Sequence, residues 1–331
     1  AMWVIYLTFV MSSSFETYGS PDKVAADGIL HDSNPSVSIV IPAYNAASYI
    51  TRGLESILMQ PKIDALQIIV VDDGSSDDTA SIVKSYAPDV TLFRNDLNRG
   101  MSATWNFGIE RAEGEIIVFI DQDCVAKNDW LTRLVHPFLA ASDQRVVQGN
   151  FYLQYLDTLI SRYHARWRRT VYLQKHTLHV EEGQIYLNTI NTRNMAIHRD
   201  VLRELKQHYG NVFNEKNARG GGDLELGRRL HQMGVKILFE ETAEVYHMDP
   251  VHFLALLDQK YRHAFFAAQA GFSERIFDAE NFQRVVINPA KYGVPVWFSL
   301  PIWCISMYGF QKGLRSARKR RPILHSKDPT H

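Results

Sequence analysis

Cysteine is almost missing: Cys124 and Cys304 are the only two thiols in 331 residues. They match no redox or zinc spacing and exclude a disulfide framework, so a reducing compartment fits. Net charge is missing too, because 36 Lys and Arg offset 36 Asp and Glu. Nothing in that balance suggests a nucleic-acid partner. No apolar run is long enough to span a bilayer. "MWVIYLTFVM", Met2 to Met11, is too short to cross a bilayer and has no basic leader; it reads as a frayed tail, an added segment or an edge strand. There is no Gly-x-Gly-x-x-Gly after a first strand, no Gly-Lys-Ser/Thr phosphate loop, no His-Glu-x-x-His and no nucleophile elbow. These gaps disfavour a dinucleotide dehydrogenase, a P-loop enzyme, a zincin and an α/β-hydrolase.

What is present is apolar bulk, 46% of the chain, ample for one large domain or a domain with an appendage. Residues 12–36, rich in Ser, Asp and Pro, read as an arm. From Val37 the pattern alternates. "VSIVIPAYN" is a β-branched strand interrupted by Pro42, and Ala46 to Gln60 has helical spacing. "LQIIVVDDGSSDDT" is a strand, an acidic turn and a helix start; "VTLFRN", Met101 to Ala112 and "EIIVFIDQD" continue the plan. Near-continuous Ile/Val strands between helices predict an α/β fold with a mostly parallel central sheet flanked by helices. Ligands bind such sheets beyond the carboxyl ends of the strands, where Asn45, Asp72, Asp73, Asp121 and Asp123 fall. In the second half, "VVQGNFYLQ" predicts a strand and Tyr155 to His176 an Arg-rich helix. "NTRNMAIHRDVLRELKQ" predicts a strand and helix, "GGGDLELGRRLHQMG" a loop entering a helix, and "VKILFE" and "AEVYHM" two strands.

Asp121 and Asp123, two positions apart past a strand, suit one divalent cation with oxygen ligands; the alternative is a solvated turn with a helix-capping Asp. Asp72 and Asp73, at a strand end, suit a base N–H or a ribose hydroxyl.

Four stretches together carry a resemblance. "SIVIPAYNAASYITRGLESILMQ", "IIVVDDGSSDDT", "NRGMSATWNFGIERAEGEIIVFIDQDC" and "GGGDLELGRRL" look like the successive blocks of family 2 glycosyltransferases, inverting enzymes with the GT-A nucleotide-sugar fold. The likeness runs from about Val37 to about His247. It implies transfer of a hexosyl or N-acetylhexosaminyl group, as in polysaccharide biosynthesis, from a nucleotide-sugar, most simply a UDP-sugar, with Mn²⁺ or Mg²⁺. The acceptor would be a glycan, a lipid-linked sugar or a polypeptide. By position, the resemblance puts Pro42, Ala43, Tyr44 and Asn45 against the nucleoside and Asp72 or Asp73 on the base. It puts Asp121 and Gln122 by the ribose or donor sugar, Asp123 on the metal, and Asp223 on the acceptor as general base. His247 matches a late metal-ligating histidine, or is simply buried on a strand. Asn191, Thr192, Arg193 and Asn194 match an acceptor loop, or a turn leading into a strand.

Departures accompany the match. Gly222 replaces the usual Glu before the base, and Glu225 is a candidate substitute. Trp105 stands where relatives often carry Arg, leaving a phosphate contact missing or supplied by Arg99. "QKYRHA" lacks the Trp of the processive Gln-x-x-Arg-Trp element, which predicts transfer of one or few sugars. Arg228 and Arg229 point to a diphosphate contact or a solvated face; Arg162, Arg166, Arg168 and Arg169 to an anionic partner or a solvated run. The other functions in view are a nucleotidyltransferase and a nucleotide-sugar-binding protein that has lost catalysis.

The implied plan is an arm (1–36), a GT-A domain (37–249, divided into a nucleotide half 37–123 and an acceptor half 124–249) and a helical C-terminal extension (250–331). "VPVWFSLPIWCISMYGF" followed by Lys312, Arg315 and Arg318 to Arg321 suits an interfacial segment on anionic lipid, or a helix packed on the domain. The expected location is cytoplasmic, with possible membrane association at the cytoplasmic face through 294–321.

Overall fold

The computed structural model describes residues 35–141, 143–153, 158–160, 163, 177–178, 190–215, 222–248, 253–269, 282, 286 and 294–320. Met2 to Met11, most of the helix expected over 155–176 with its four arginines, Gly220, Gly221 and Arg321 lie outside them. Contacts divide the chain after Asn34, and the unit from Pro35 onward holds every described element.

Among the described residues nine strands form one sheet. They are β1 (Val37–Ala43), β2 (Leu66–Asp72), β3 (Thr91–Arg94), β4 (Ile116–Ile120), β5 (Cys124–Ala126), β6 (Val146–Leu153), β7 (Thr177–Leu178), β8 (Asn194–His198) and β9 (Ile237–His247). The order is β3-β2-β1-β4-β8-β6-β9-β5, with β7 on β9. The helices among the described residues are α1 (Ile50–Leu58), α2 (Thr79–Lys84), α3 (Met101–Ile109), α4 (Trp130–Ala140), α5 (Arg199–Tyr209), α6 (Gly222–Gln232), α7 (Phe253–Gln269) and α8 (Val296–Arg320).

The expected α/β alternation is present. β1 to β4 are parallel, and odd and even residues of each strand feed different cores. Ile39, Ile41, Val118 and Ile120 pack with α1 and α4, whereas Val40, Ile117 and Phe119 pack with Trp105, α5 and α6. A strand apolar at every position is the outcome of covering both faces.

Beyond β4 the sheet becomes mixed. β8 runs antiparallel to β4 and β6, and β9 runs parallel to β6. The carboxyl ends of β1, β2, β4 and β9 therefore share an edge with the amino end of β8. Ile120 faces Asn194 across that edge, and Cys124 of β5 faces His247.

The two strands expected from "VKILFE" and "AEVYHM" are one strand, β9. Its exposed middle, Glu241 and Thr242, lies where the β6 register shifts between Gly149 and Asn150. A bulge absorbs the polar insertion without ending the strand. Asn194 plugs that bulge: Nδ2 donates to the carbonyls of Asn150 (2.7 Å) and Ala243 (2.8 Å), and Oδ1 accepts from Trp130 Nε1 (2.8 Å). A Cβ on Gly149 would meet Asn194 Nδ2 at 2.4 Å, so glycine is needed there.

α7 and α8 pack in the same direction: Phe253 meets Phe298, with ring centroids 4.9 Å apart, while Gly309 abuts Tyr261 and Gly313 abuts Phe265. A Cβ at Gly309 or Gly313 would come within 2.5 or 2.2 Å of a carbonyl oxygen of α7. Their apolar residues form a separate small core. Among the described residues no helix is long and apolar enough to cross a membrane.

Candidate active site

β1 delivers a short loop that other loops hold in place. Pro42 and Ala43 end the strand. The Tyr44 N–H donates to Gln122 Oε1 at 2.6 Å, the Asn45 N–H to Ser75 Oγ at 2.8 Å, and the Ala46 N–H to Thr79 Oγ1 at 2.7 Å. Asn45 has φ +49, a left-handed conformation that Asn tolerates better than most residues. Its Oδ1 accepts from the Ser76 N–H at 2.9 Å. Tyr44 stays exposed.

Asp72 and Asp73 are both buried and bonded within the chain. Asp72 Oδ1 accepts from the Ser75 N–H (3.0 Å) and Oδ2 pairs with Arg94 Nε (3.1 Å). Asp73 accepts from Asn95 Nδ2 and from the N–H groups of Arg99 and Gly100, all within 2.9 Å. The pair thus fixes the loop that leads into α3. The Arg99 side chain stands at the surface beside Glu215, 3.9 Å away.

The centre lies at the end of β4. Asp123 Oδ1 is 3.3 Å from His247 Nε2. Ligand atoms of Asp123, Cys124 and His247 all lie within 4.8 Å of one another. Arg193 Nε is 3.7 Å from Asp121 Oδ2, whereas Asp121 Oδ1 is buried with no hydrogen-bond partner among the described residues. Burial, then Asp123, raises the Asp121 carboxyl to about 6 against the pull of Arg193 and His247, and Asp223 pushes it further up. For Asp123, burial pushes upward, but the charge and hydrogen bond of His247, helped by Arg193, hold it below its ordinary value. Burial, then Asp123 and Asp121, drives the Cys124 thiol well up, so it is a packed thiol at neutral pH. Burial, then Asp123, also raises Tyr49; the sequence reading missed this neighbour, whose only signal was its place just after the first loop.

Asp223 is the second residue of α6. A Cβ on Gly222 would meet Ser102 Oγ, in the first turn of α3, at 3.1 Å. The amino ends of α3 and α6 therefore abut, and the field of Asp223 reaches Asp121.

The sequence model of Glycosyl transferase family 2 matches residues 38–206, just over half the chain. The chain belongs to glycosyltransferase family 2. Glycosyltransferase AglE of Haloferax volcanii is 27% identical over 212 residues, 62% of this chain and 64% of AglE. The succinoglycan biosynthesis protein ExoO of Rhizobium meliloti is 38% identical over 119 residues, 36% of this chain and 34% of ExoO. The chain thus spans less than two thirds of the length of either relative. Among solved structures, the mannosyltransferase PcManGT from Pyrobaculum calidifontis, in complex with GDP-Man and Mn²⁺, superposes with TM-score 0.53 at 20% identity, over 88% of this chain and 77% of its own. S. aureus TarS gives 0.51 at 16% identity, over 86% and 55%. At such identities the likeness is one of fold, the GT-A type.

Several departures of this family 2 glycosyltransferase now have a physical reason. A side chain at Gly222 would press on Ser102 Oγ, which would have to yield by a few tenths of an ångström. Trp105 does not face the site: it is buried against Phe119 and Phe213, with centroids 4.9 and 6.1 Å away. Glu225, the candidate substitute for the missing Glu and a candidate acceptor contact, is buried and bonded to Arg229 Nη2 at 2.8 Å. Arg229, also buried, donates to the carbonyls of Asn211 and Val212, so it holds the turn after α5 and is not on a solvated face. Asn194 plugs the sheet bulge and is fully buried, which removes it from the acceptor loop. Asn191 and Thr192 are buried, with the Asn191 N–H on Gln148 Oε1. Of the four, Arg193 reaches the acidic centre.

The raised Asp121 gives a pH test. Between the ordinary carboxylate pKa and about 6, the folded chain keeps a proton that the unfolded chain has lost. Stability therefore falls as pH rises through that window and stays lower above it. Asp121→Asn is expected to stabilise the ligand-free protein at pH 7.5 by on the order of 2 kcal/mol, a gain that shrinks toward pH 4. Thermal melts at both pH values check it; equal shifts at both would contradict it.

Proposed function

We propose that this glycosyltransferase moves a sugar from a nucleotide-diphosphate donor to an acceptor hydroxyl by one inverting displacement. The observation that carries the reading is that Asp123, past the end of β4, contacts His247, at the end of β9, beside Asp121, whose carboxyl also feels the charge of Asp223 at the start of α6. Residues 37–123 form the donor half in this reading, 124–249 the acceptor half, and 250–331 a helical extension.

Pro42 to Asn45 receive the nucleoside, with the exposed Tyr44 ring available to the base. Asp72 and Asp73 hold the surrounding loop and offer their remaining lone pairs to base or ribose. Asp121 and Gln122 face the ribose and donor sugar. Arg99 and Arg193 supply positive charge on the diphosphate side. Asp123 and His247 fit a divalent cation, Mn²⁺ or Mg²⁺: a carboxylate and an imidazole lie in contact beside an orphaned buried oxygen of Asp121. Bound there, the cation would screen the charge that grows on the departing diphosphate. Asp223 takes the proton of the acceptor hydroxyl as its oxygen attacks the anomeric carbon from the face opposite the leaving group. The donor is most simply a UDP-sugar; the GDP-Man of PcManGT makes a GDP-sugar the next to try. The acceptor is a glycan, a lipid-linked sugar or a polypeptide, and contact with a membrane through 294–321 completes the reading.

The test is incubation with UDP- and GDP-sugars and simple sugar acceptors in Mn²⁺. Release of a nucleoside diphosphate and a product of inverted anomeric configuration is expected. Pyrophosphate release would assign nucleotidyl transfer instead, and retained configuration would remove the single displacement.

A further inference from the structure

Helix α8 carries a stripe of side chains that the fold does not cover. Trp297, Leu300 and Tyr308 are 68%, 39% and 50% exposed, and Pro301 and Cys304 are exposed with them. At 3.6 residues per turn these five positions share one face. The opposite face, with Phe298, Ile302 and Phe310, is buried. The same exposed face continues into Lys312 and Arg315, and Lys312 Nζ lies 5.4 Å from the Tyr308 ring. The sequence then runs on through Arg318, Lys319, Arg320 and Arg321. An apolar, aromatic stripe about 17 Å long thus meets a cationic end. The helix is not apolar enough to cross a bilayer.

We propose that α8 lies flat on an anionic lipid surface, with Trp297 to Tyr308 among the acyl chains and Lys312 and Arg315 on the headgroups. Charge complementarity selects the occupant: apolar contact alone would not call for a basic end, whereas a membrane with anionic lipid satisfies both halves.

The topology ties this surface to the reaction. α7 begins six residues after His247, so its first turn lies within on the order of 20 Å of the acidic centre. That first turn exposes Leu254 at 78% and packs on the apolar half of α8 through Phe253 and Phe298. The membrane-facing end of the extension is therefore tethered to the carboxyl edge of the sheet. Resting on the transferase reading, this selects the lipid-linked sugar from the possible acceptors: its hydroxyl stands at the bilayer surface while the nucleotide-sugar arrives from solution.

Cys304 gives a direct probe, because it is exposed in the stripe while Cys124 is buried. The full chain, labelled at Cys304 with the environment-sensitive fluorophore NBD, is mixed with vesicles of phosphatidylcholine alone or with equal phosphatidylglycerol. A blue shift with a severalfold gain in intensity is expected on the anionic vesicles only, with quenching by acyl-brominated lipid. Lys312→Glu with Arg315→Glu is expected to weaken binding at least tenfold, and Trp297→Ser with Leu300→Ser to abolish acyl quenching. No shift on anionic vesicles would overturn the proposal. So would a lipid-free shift that grows with protein concentration, which assigns the face to a second copy. A probe already shielded without lipid, and exposed on removing residues 1–34, would assign it to the N-terminal arm. Nucleoside-diphosphate binding by the same samples separates the two readings: docking lost with that binding intact removes only the lipid surface, whereas docking without nucleotide binding removes only the transferase.

Discussion

Asp223→Asn is expected to lower turnover by roughly 10³-fold while leaving nucleoside-diphosphate affinity within about twofold of the parent, since a positioned general base contributes 10²–10⁴. The substitution keeps shape and removes the ability to take a proton. Its structural cost is small. Asp223 stands in the first turn of α6, where a carboxylate stabilises the helix dipole by only about 0.3–1 kcal/mol. Loss of that charge also removes one of the upward pushes on Asp121, so stability near neutral pH should hold. Side-by-side turnover and nucleotide titrations decide the matter. A variant as active as the parent would remove Asp223 from the chemistry. Equal loss of nucleotide binding would make it a donor contact.

Asp123→Ala is expected to cost at least 10²–10³-fold in turnover and to abolish any rise in Tm on adding Mn²⁺. The reason lies in the 3.3 Å contact between Asp123 and His247. Alanine removes the carboxylate that His247, 6% exposed in its side chain, contacts. Asp123 titrates below its ordinary value in the fold, so its contribution to stability is present above the ordinary pKa and is lost as pH falls through the lowered one. Cation binding should weaken over the same acid range, because protons compete for the ligands. Activity and melting temperature in chelator, then with Mn²⁺ restored, measure both effects. Undiminished turnover of the parent in chelator would take the cation out of the account.

The repeating strand–helix plan could be read before any coordinates, because β1, β2 and β4 are covered on both faces and leave unbroken Ile/Val runs. The edge that gathers Asn45, Asp72, Asp121 and Asp123 follows from the same rule. What escaped was set by contacts distant in sequence. Asn194 looks like part of a polar loop, and only the bulge between Gly149 and Asn150 shows why it is buried. Glu225 and Arg229 have the spacing of a surface ion pair. Their burial follows from Leu226 and Leu230 packing beside them and from the carbonyls of the turn after α5. Three-residue β5 is too short to show a period, yet its pairing with β9 brings His247 to Asp123. Trp105 stands where relatives often carry arginine, but the apolar neighbours that claim it, Phe119 and Phe213, lie on other segments.

The most direct test is a crystal structure of the protein with UDP or GDP and Mn²⁺, recorded at a wavelength where manganese scatters anomalously. The account predicts a manganese peak within about 2.5 Å of ligand atoms of Asp123 and His247, the diphosphate on that peak and Asp223 facing the same space. A nucleotide bound away from the carboxyl edge, or Asp123 and Asp223 opening onto separate surfaces, would contradict it.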